Sequence, residues 1–460
     1  MSIIRILLTL VLFAGVVLAF NKKTNPAITL MMAGILSLLV GGLVNGYNPL
    51  GAKTTGFLLF DIFEYFRASS VVDTIARTGV RTMAILAYVA YMDHIKASTL
   101  FALVVSKPIL NIKNKYILAG AVYLLTILLI LVIPNGTGRI ALLLGTVYPV
   151  MLACGITKAT AAVAIFAGAM NGWGPANAKI PVAANFMGIE VNMAEYFLTI
   201  EWMWDIAAFA AAIAVFIISS KYFDKKENAE KGEGVFSGVT VESLNVPKWY
   251  FVLPMIPIIF IILFSGTIKA FPTLAIETVM FMCFVFVYLL IVLTSKEKLK
   301  AWNDGNLFFI SQGNTLGRIV SIIIAGSLFG AGITSIGGVN ALLQPFLSAE
   351  GATTSTALFI IITAIISVAV SVIAVSDYVA NSIIGPVYTA YAAATGLNVN
   401  GFLLLTVNTY QMGIGYSPAT AHVAMVSETA QVPINTIIKR AIAPIAAAII
   451  VYIIGTIVMV

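Results

Sequence analysis

The chain has 460 residues, of which 60% are hydrophobic and only 10% charged, with a formal net charge of +7. Its length alone would permit about three soluble domains, but no soluble fold covers that much apolar surface, and runs of about 20 uncharged residues match what a helix needs to cross roughly 30 Å of hydrocarbon. The composition therefore predicts an all-α, polytopic membrane protein and excludes soluble enzymes, secreted disulfide scaffolds and nucleic-acid binders; the basic excess is scattered through short loops, and Cys154 and Cys283 stand alone in apolar segments.

The first span is predicted over 3–20. Arg5 gives it the look of a signal peptide, but the run flows straight into a second span over 27–43 and is expected to be retained. The stretch 57–79, with Asp61, Glu64 and Arg67 at helical spacing, is expected to lie along the outer surface. Spans follow over 82–95, 116–133, 140–152, 159–170, 181–187 and 202–219. After a hydrophilic stretch, 221–248, with five lysines and five acids, come spans over 250–264, 271–293, 314–330, 357–373, 383–394, 401–410 and 434–459. Several are too short to cross alone.

Sliding the chain on itself by 241 positions places Gly172, Gly174, Ala178, Val182 and Ala183 on Gly413, Gly415, Ala419, Val423 and Ala424. The predicted spans follow the same shift. Residues 1–220 thus read as a first repeat, 221–248 as a cytoplasmic linker and 249–460 as a second repeat, each with three spans, a re-entrant hairpin, a broken helix and a last span. A hairpin adds no net crossing, so each half crosses five times and the second is inverted, a recurrent plan of secondary transporters. Orientation follows from the lysines and arginines. With both termini outside, 18 of the 26 lie inside, six outside (Arg5, Lys53, Arg67, Arg77, Arg81, Lys269), and Arg139 and Lys179 sit at membrane depth. The first hairpin then opens to the cytoplasm and the second outward.

The hairpin tips read Pro134-Asn135-Gly136-Thr137-Gly138-Arg139 and Val375-Ser376-Asp377-Tyr378. Small polar residues flanked by helices suit an ion or carboxylate site, because non-helical backbone needs partners in hydrocarbon and helix N-termini carry partial positive charge. The broken spans read Asn171-Gly172-Trp173-Gly174-Pro175-Ala176-Asn177 and Gly413-Ile414-Gly415-Tyr416-Ser417-Pro418-Ala419-Thr420, where glycine and proline are expected to unwind the helix and present carbonyls and amides. Tight turns and mere kinks remain the plain alternatives. Of the deep ionisable residues, Arg139 suits a carboxylate clamp, Lys179 a second point charge and Asp377 a coupling cation or proton. His422 reads as an interior histidine, and mutual pairing of these groups is open. Glu201, Asp205 and Glu277 read as interfacial, and Gly326 with Gly330 as helix packing. The expected substrate contacts are Asn135, Gly136, Thr137, Arg139, Asn171, Gly172, Asn177, Lys179, Ser376, Asp377, Gly413, Ser417 and Thr420, with a sodium site near Asn135, Ser376 and Asp377 left open. An intramembrane enzyme lacks its nucleophile–base pair or metal cluster here, and a channel would favour a repeated filter over antiparallel halves.

The runs Thr55-Gly56, Asp61-Ile62-Phe63-Glu64-Tyr65, Ala90-Tyr91-Met92-Asp93-His94-Ile95, Ser106-Lys107-Pro108, Tyr148-Pro149-Val150-Met151, Tyr222-Phe223-Asp224-Lys225-Lys226-Glu227, Ser417-Pro418 and Ile438-Lys439-Arg440 resemble the DcuC-type anaerobic dicarboxylate carriers of the ion transporter superfamily. The resemblance spans nearly the whole chain. It implies a secondary carrier of succinate, fumarate or malate in the bacterial inner membrane, coupled to an ion (Na+ or H+) or working by exchange, with no other cofactor, and it leaves a homodimer open. The binding regions depart from the family pattern: Ser376-Asp377-Tyr378 stands where a Gly-Ser-Gly-Asn run is usual, Ile414 where an arginine is, and Lys179 where an acid is. Another carboxylate or an amino acid is the alternative substrate.

Overall fold

The computed structural model describes residues 2–22, 24–109, 112–227, 244–266, 268–339, 341, 352–374 and 377–460. Every regular element of three or more residues among them is helical, as a chain crossing hydrocarbon requires, since a helix satisfies its backbone groups internally. Seven helices among the described residues are long and apolar enough to span a membrane, and shorter apolar helices lie between them. Large apolar side chains such as Leu43, Ile218, Leu293 and Val458 stay exposed, which is the face a bilayer covers.

The helix Pro26–Asn45 starts from an Asn25 cap, whose side chain accepts from Ile28 N at 3.2 Å. It crosses Ser321–Ile336 in close contact. Small residues permit the approach: a Cβ added at Gly34 would stand 2.8 Å from Phe329 N, and one at Gly332 would stand 2.6 Å from the Ser37 Cβ. Asn45 closes the contact by donating to the Ser335 and Ile336 carbonyls at 2.8 and 2.7 Å, which otherwise end the helix unpaired.

The expected surface helix over 57–79 is not separate from the span after it. Leu58–Tyr65 runs through π-helical turns, Phe66–Asp73 and Ile75–Gly79, into Val80–His94, because no glycine–proline pair interrupts it and Thr74 keeps helical angles. The span expected over 314–330 is likewise part of a continuous helical stretch, Lys298–Ile336. The helix Ala97–Ile109 has no counterpart among the expected spans, its apolar run being punctuated by Ser98, Ser106 and Lys107.

Lys115–Leu128 leads to Gly136–Ala153, then Lys158–Ala169, a break, and Lys179–Phe186. In the second half, Ala352–Ala374 leads to Asp377–Thr395, then Val399–Ile414, a break, and Ala421–Ala430. Gly136 and Asp377 stand 241 residues apart, as do Lys158 and Val399. The packing is reciprocal: Gly136–Ala153 lies on Ala421–Ala430, and Asp377–Thr395 on Lys179–Phe186. Even the bonds pair off, Tyr148 donating to the Ala430 carbonyl at 3.3 Å and its register mate Thr389 to the Met187 carbonyl.

Trp202–Lys226 runs past the expected linker start at 221 and packs along Ile434–Met459. Its end is pinned by Arg440, which donates to Asp224 Oδ1 at 2.7 Å, Glu227 Oε2 at 2.6 Å and Thr160 Oγ1 at 3.1 Å. Linker residues 228–243 lie outside the described residues.

Candidate functional site

Both expected breaks are present, the second beginning at Gly415 rather than at Gly413, which stays helical. Lys158–Ala169 stops where Asn171 and Gly172 follow, and Gly174 takes a φ of 107°, a left-handed geometry that favours glycine. Val399–Ile414 stops at Gly415, and the chain becomes helical again only after Thr420, whose hydroxyl accepts from Val423 N at 3.0 Å. The two breaks touch. A Cβ at Gly172 would stand 2.8 Å from Gln411 Oε1, and one at Gly415 would stand 2.9 Å from Met170 Cγ.

At this crossing sits Arg139, fully buried in the first turn of Gly136–Ala153. Its Nη2 donates to the carbonyl of Ala169, the last residue of its helix, at 2.8 Å, so the guanidinium faces the negative end of a helix dipole. Gln411 Nε2 reaches the same oxygen at 3.4 Å. Among the described residues Arg139 Nε and Nη1 have no partner, nor do Asn177 Nδ2 and Gln411 Oε1. A buried polar atom without a hydrogen bond costs about 1–3 kcal/mol, and more when charged. Such a concentration of unmet donors and acceptors has the chemistry to receive a polar group.

The first tip comes to the same place. Asn135 caps its helix, its side chain accepting from Thr137 N at 3.1 Å, and a Cβ at Gly136 would stand 2.8 Å from His422 Nε2 of the second half. Pro134 shares a small cavity with Trp173 and Asn177, walled by Tyr88, Met92 and Met280. Asn177 Oδ1 accepts from the amide of Lys179, which opens its short helix half-buried. In the second half, a Cβ at Gly413 would stand 3.0 Å from the Ser371 Cβ, so the end of the helix before the second break packs on Ala352–Ala374. Ser417 is buried and accepts from Ala419 N at 3.4 Å. Asp377 begins its helix by backbone, but its side chain, and Ser376 entirely, lie outside the described residues; the sodium site expected near them and Asn135 shares that limit.

Gln411 was not among the expected contacts. It stands three residues after Asn408 in a mostly apolar helix, and its register mate is Met170. A larger correction concerns Glu201 and Asp205, expected at the interface. Both are fully buried, because the π-helical turn Phe197–Glu201 leads into Trp202–Lys226 packed against Ile434–Met459. Glu277 is paired with Arg81 at 3.3 Å, in the wall of an open cleft of about 650 Å³ that Arg77, Asn185 and Glu190 also line. Gly326 and Gly330 serve packing, facing Phe186 and Pro386.

Over residues 3–460 the chain matches the family described as DcuC, C4-dicarboxylate anaerobic carrier. It is 27% identical to the probable anaerobic C4-dicarboxylate transporter DcuC of Vibrio cholerae, covering 100% of this chain and 98% of that protein. It is 24% identical to the anaerobic C4-dicarboxylate transporter DcuC of Escherichia coli K12, over the same shares. Among solved structures, Neisseria gonorrhoeae MtrF, from a class of antimetabolite efflux pumps, superposes with a TM-score of 0.65 at 14% identity, covering 95% of both chains. The Alcanivorax borkumensis YdaH transporter gives 0.62 at 13% identity, covering 95% of this chain and 98% of that one. These two share the fold.

Proposed function

Because the chain belongs to the DcuC family of C4-dicarboxylate anaerobic carriers, a family of multi-pass membrane transporters rather than enzymes, we propose that it moves four-carbon dicarboxylates such as succinate or fumarate across the bacterial inner membrane by alternating access. The observation that carries this reading is Arg139, sealed at the crossing of two broken helices with two of its nitrogens unpartnered. A planar guanidinium is suited to hold a carboxylate by two parallel hydrogen bonds. Asn171, Gln411, the unwound backbone at Gly172 and the helix end at Gly413 complete the cradle, Lys179 supplies a second positive charge toward the far carboxylate, and Asn135, Gly136, Thr137, Asn177, Ser376, Ser417 and Thr420 frame it. Asp377 takes part in coupling, to Na+ or H+, or the carrier exchanges one anion for another.

In this proposal 1–220 and 249–460 are inverted repeats joined by a cytoplasmic linker, the hairpins are re-entrant from opposite sides, and both termini face outside. The 241-residue register of the helix starts and the reciprocal bonds of Tyr148 and Thr389 support the two-fold relation, and the 18-to-6 basic asymmetry supports the orientation. A homodimer in the bilayer belongs to the same proposal, its test the mass of the detergent-free complex. A second reading, transport of a monocarboxylate or an amino acid, is favoured by Arg139 being the one cation fully buried at the crossing among the described residues.

A thermal-shift screen of dicarboxylates, monocarboxylates and amino acids, with and without sodium, tests the substrate, since a ligand of the folded state raises its melting temperature. Stabilisation by succinate or fumarate above acetate and amino acids is expected. Stabilisation by amino acids alone would replace this reading with the second.

A further inference from the structure

Away from the Arg139 crossing, Glu201 and Asp205 are one helical turn apart on one face and both fully buried. Glu201 Oε1 accepts from Asn408 Nδ2 at 3.4 Å, and Asp205 Oδ1 accepts from the Tyr452 hydroxyl at 2.8 Å. The other oxygens, Glu201 Oε2 and Asp205 Oδ2, have no partner, and neither acid has an ion pair among the described residues. A separate observation points to a ligand: the Tyr196 hydroxyl is buried and unpartnered, five residues before Glu201 at the π-helical repeat, and interacts electrostatically with both carboxylates. The groups facing the pair are therefore Tyr196 from its own stretch, Tyr452 from Ile434–Met459 and the Asn408 amide from Val399–Ile414. Glu195 is exposed, and the charges at the far end of the packed helices, Lys439 and Arg440, stand beside Asp224 and Glu227, about 28 Å along the helix from Asp205.

Two carboxylates sealed from water at one place do not both remain charged without a proton or a cation. Their two bonded neighbours donate hydrogens into the pair, as they would to carboxyls that exchange a proton; a metal cation would instead draw on the open oxygens Glu201 Oε2, Asp205 Oδ2 and Asn408 Oδ1, and the Na+ arm of the test below separates the two. The geometry also connects the pair to the anion site. Asn408 lies one turn before Gln411 on the same helix, and Gln411 shares the Ala169 carbonyl with Arg139.

We propose that Glu201 and Asp205 are the proton-carrying pair of this carrier, taking up one proton from water on one side and releasing it on the other, and that Val399–Ile414 transmits their protonation to the Arg139 site. The step makes and breaks only O–H bonds. It rests on the carboxylate-carrier reading above and makes one part of it specific.

The full chain in proteoliposomes tests it with labelled succinate in two modes: counterflow without gradients, and uptake driven by an acid-outside pH gradient or an inward Na+ gradient. The parent is expected to perform counterflow and to accumulate succinate on the pH gradient. Glu201→Gln and Asp205→Asn are expected to retain counterflow, lose its dependence on pH, and lose pH-driven accumulation. Asp205→Glu restores a carboxyl and is expected to accumulate, and Tyr196→Phe, which leaves both acids, is expected to shift the pH profile of counterflow; these two keep the test decisive where an amide variant fails to fold. Accumulation by the amide variants equal to the parent overturns the proposal. So does accumulation driven only by Na+, or loss of pH drive in Asp377→Asn with the pair variants unaffected. A parent without counterflow counts against the carrier reading itself, and the proposal falls with it.

Discussion

Arg139→Lys separates a carboxylate clamp from a structural arginine. In the parent, Nη2 is held by the Ala169 carbonyl at 2.8 Å while Nε and Nη1 are buried and unpartnered. One planar group can therefore cap the helix end and grip an anion together. A lysine ammonium keeps the charge beside the helix C-terminus, so folding should change little, but it is a point charge on a flexible stem and cannot present both edges. Losing one charge-assisted hydrogen bond costs about 1.5–3 kcal/mol, which corresponds to a Kd weaker by roughly ten- to a hundred-fold. Isothermal titration of succinate into purified parent and variant measures this directly, with the melting temperature of ligand-free protein as the control for folding. Equal Kd values in two equally stable proteins would refute the clamp. A fall in melting temperature with no change in Kd would make Arg139 a helix cap and nothing more.

Three further outcomes follow from the packing. Arg440→Met leaves the buried Asp224 carboxylate with Thr157 and Thr160, both at 2.9 Å, as its side-chain donors among the described residues, and should destabilise the fold by about 3–5 kcal/mol; adding Asp224→Asn should recover part of the loss, and a melting temperature unchanged by Arg440→Met would contradict the assignment. The Arg440 hydrogen bond holds the Glu227 carboxyl below the usual glutamate range, against partial burial and with help from Lys439; a lowered folded pKa means that this stabilisation is complete above the ordinary glutamate value and fades as pH falls through the lowered one, so the melting-temperature gap between parent and Glu227→Gln should shrink on acidification below about pH 4. Gly34→Leu drives a side chain into Phe329 N and Leu328, where backbone cannot yield, and should sharply reduce the yield of monodisperse protein on size exclusion; Gly145→Leu, with open space around it, should not.

Much of the architecture was legible because hydrophobic length and glycine–proline punctuation are local signals. The helix start at Asn135-Gly136 and the break at Gly172 to Pro175 were readable for that reason, and the 241-residue shift pairs them with the helix start at Asp377 and the helix end at Gly413, with Ile414 between it and the second break. What escaped depends on helices meeting one another. The amphipathic stretch after Phe57 reads as a surface helix because polar residues from Arg67 to Thr82 interrupt the apolar pattern, although nothing there stops the backbone from winding on. Glu201 and Asp205 stand near the start of a span, where sequence position suggests an interface; only the packing of Ile434–Met459, with Tyr452 turned toward them, buries them. Gln411 and Asn408 are isolated amides whose partners, Ala169 and Glu201, lie more than two hundred positions away.

The central claim is that an anion held at Arg139 crosses the membrane by alternating access. It is tested most directly by labelled succinate uptake into proteoliposomes preloaded with unlabelled succinate, fumarate or chloride. Uptake should be saturable, accelerated by internal succinate or fumarate and not by chloride, and slowed in Arg139→Lys in proportion to its weaker binding. Uptake that rises without saturation, ignores the internal anion and is unchanged in Arg139→Lys would contradict the account.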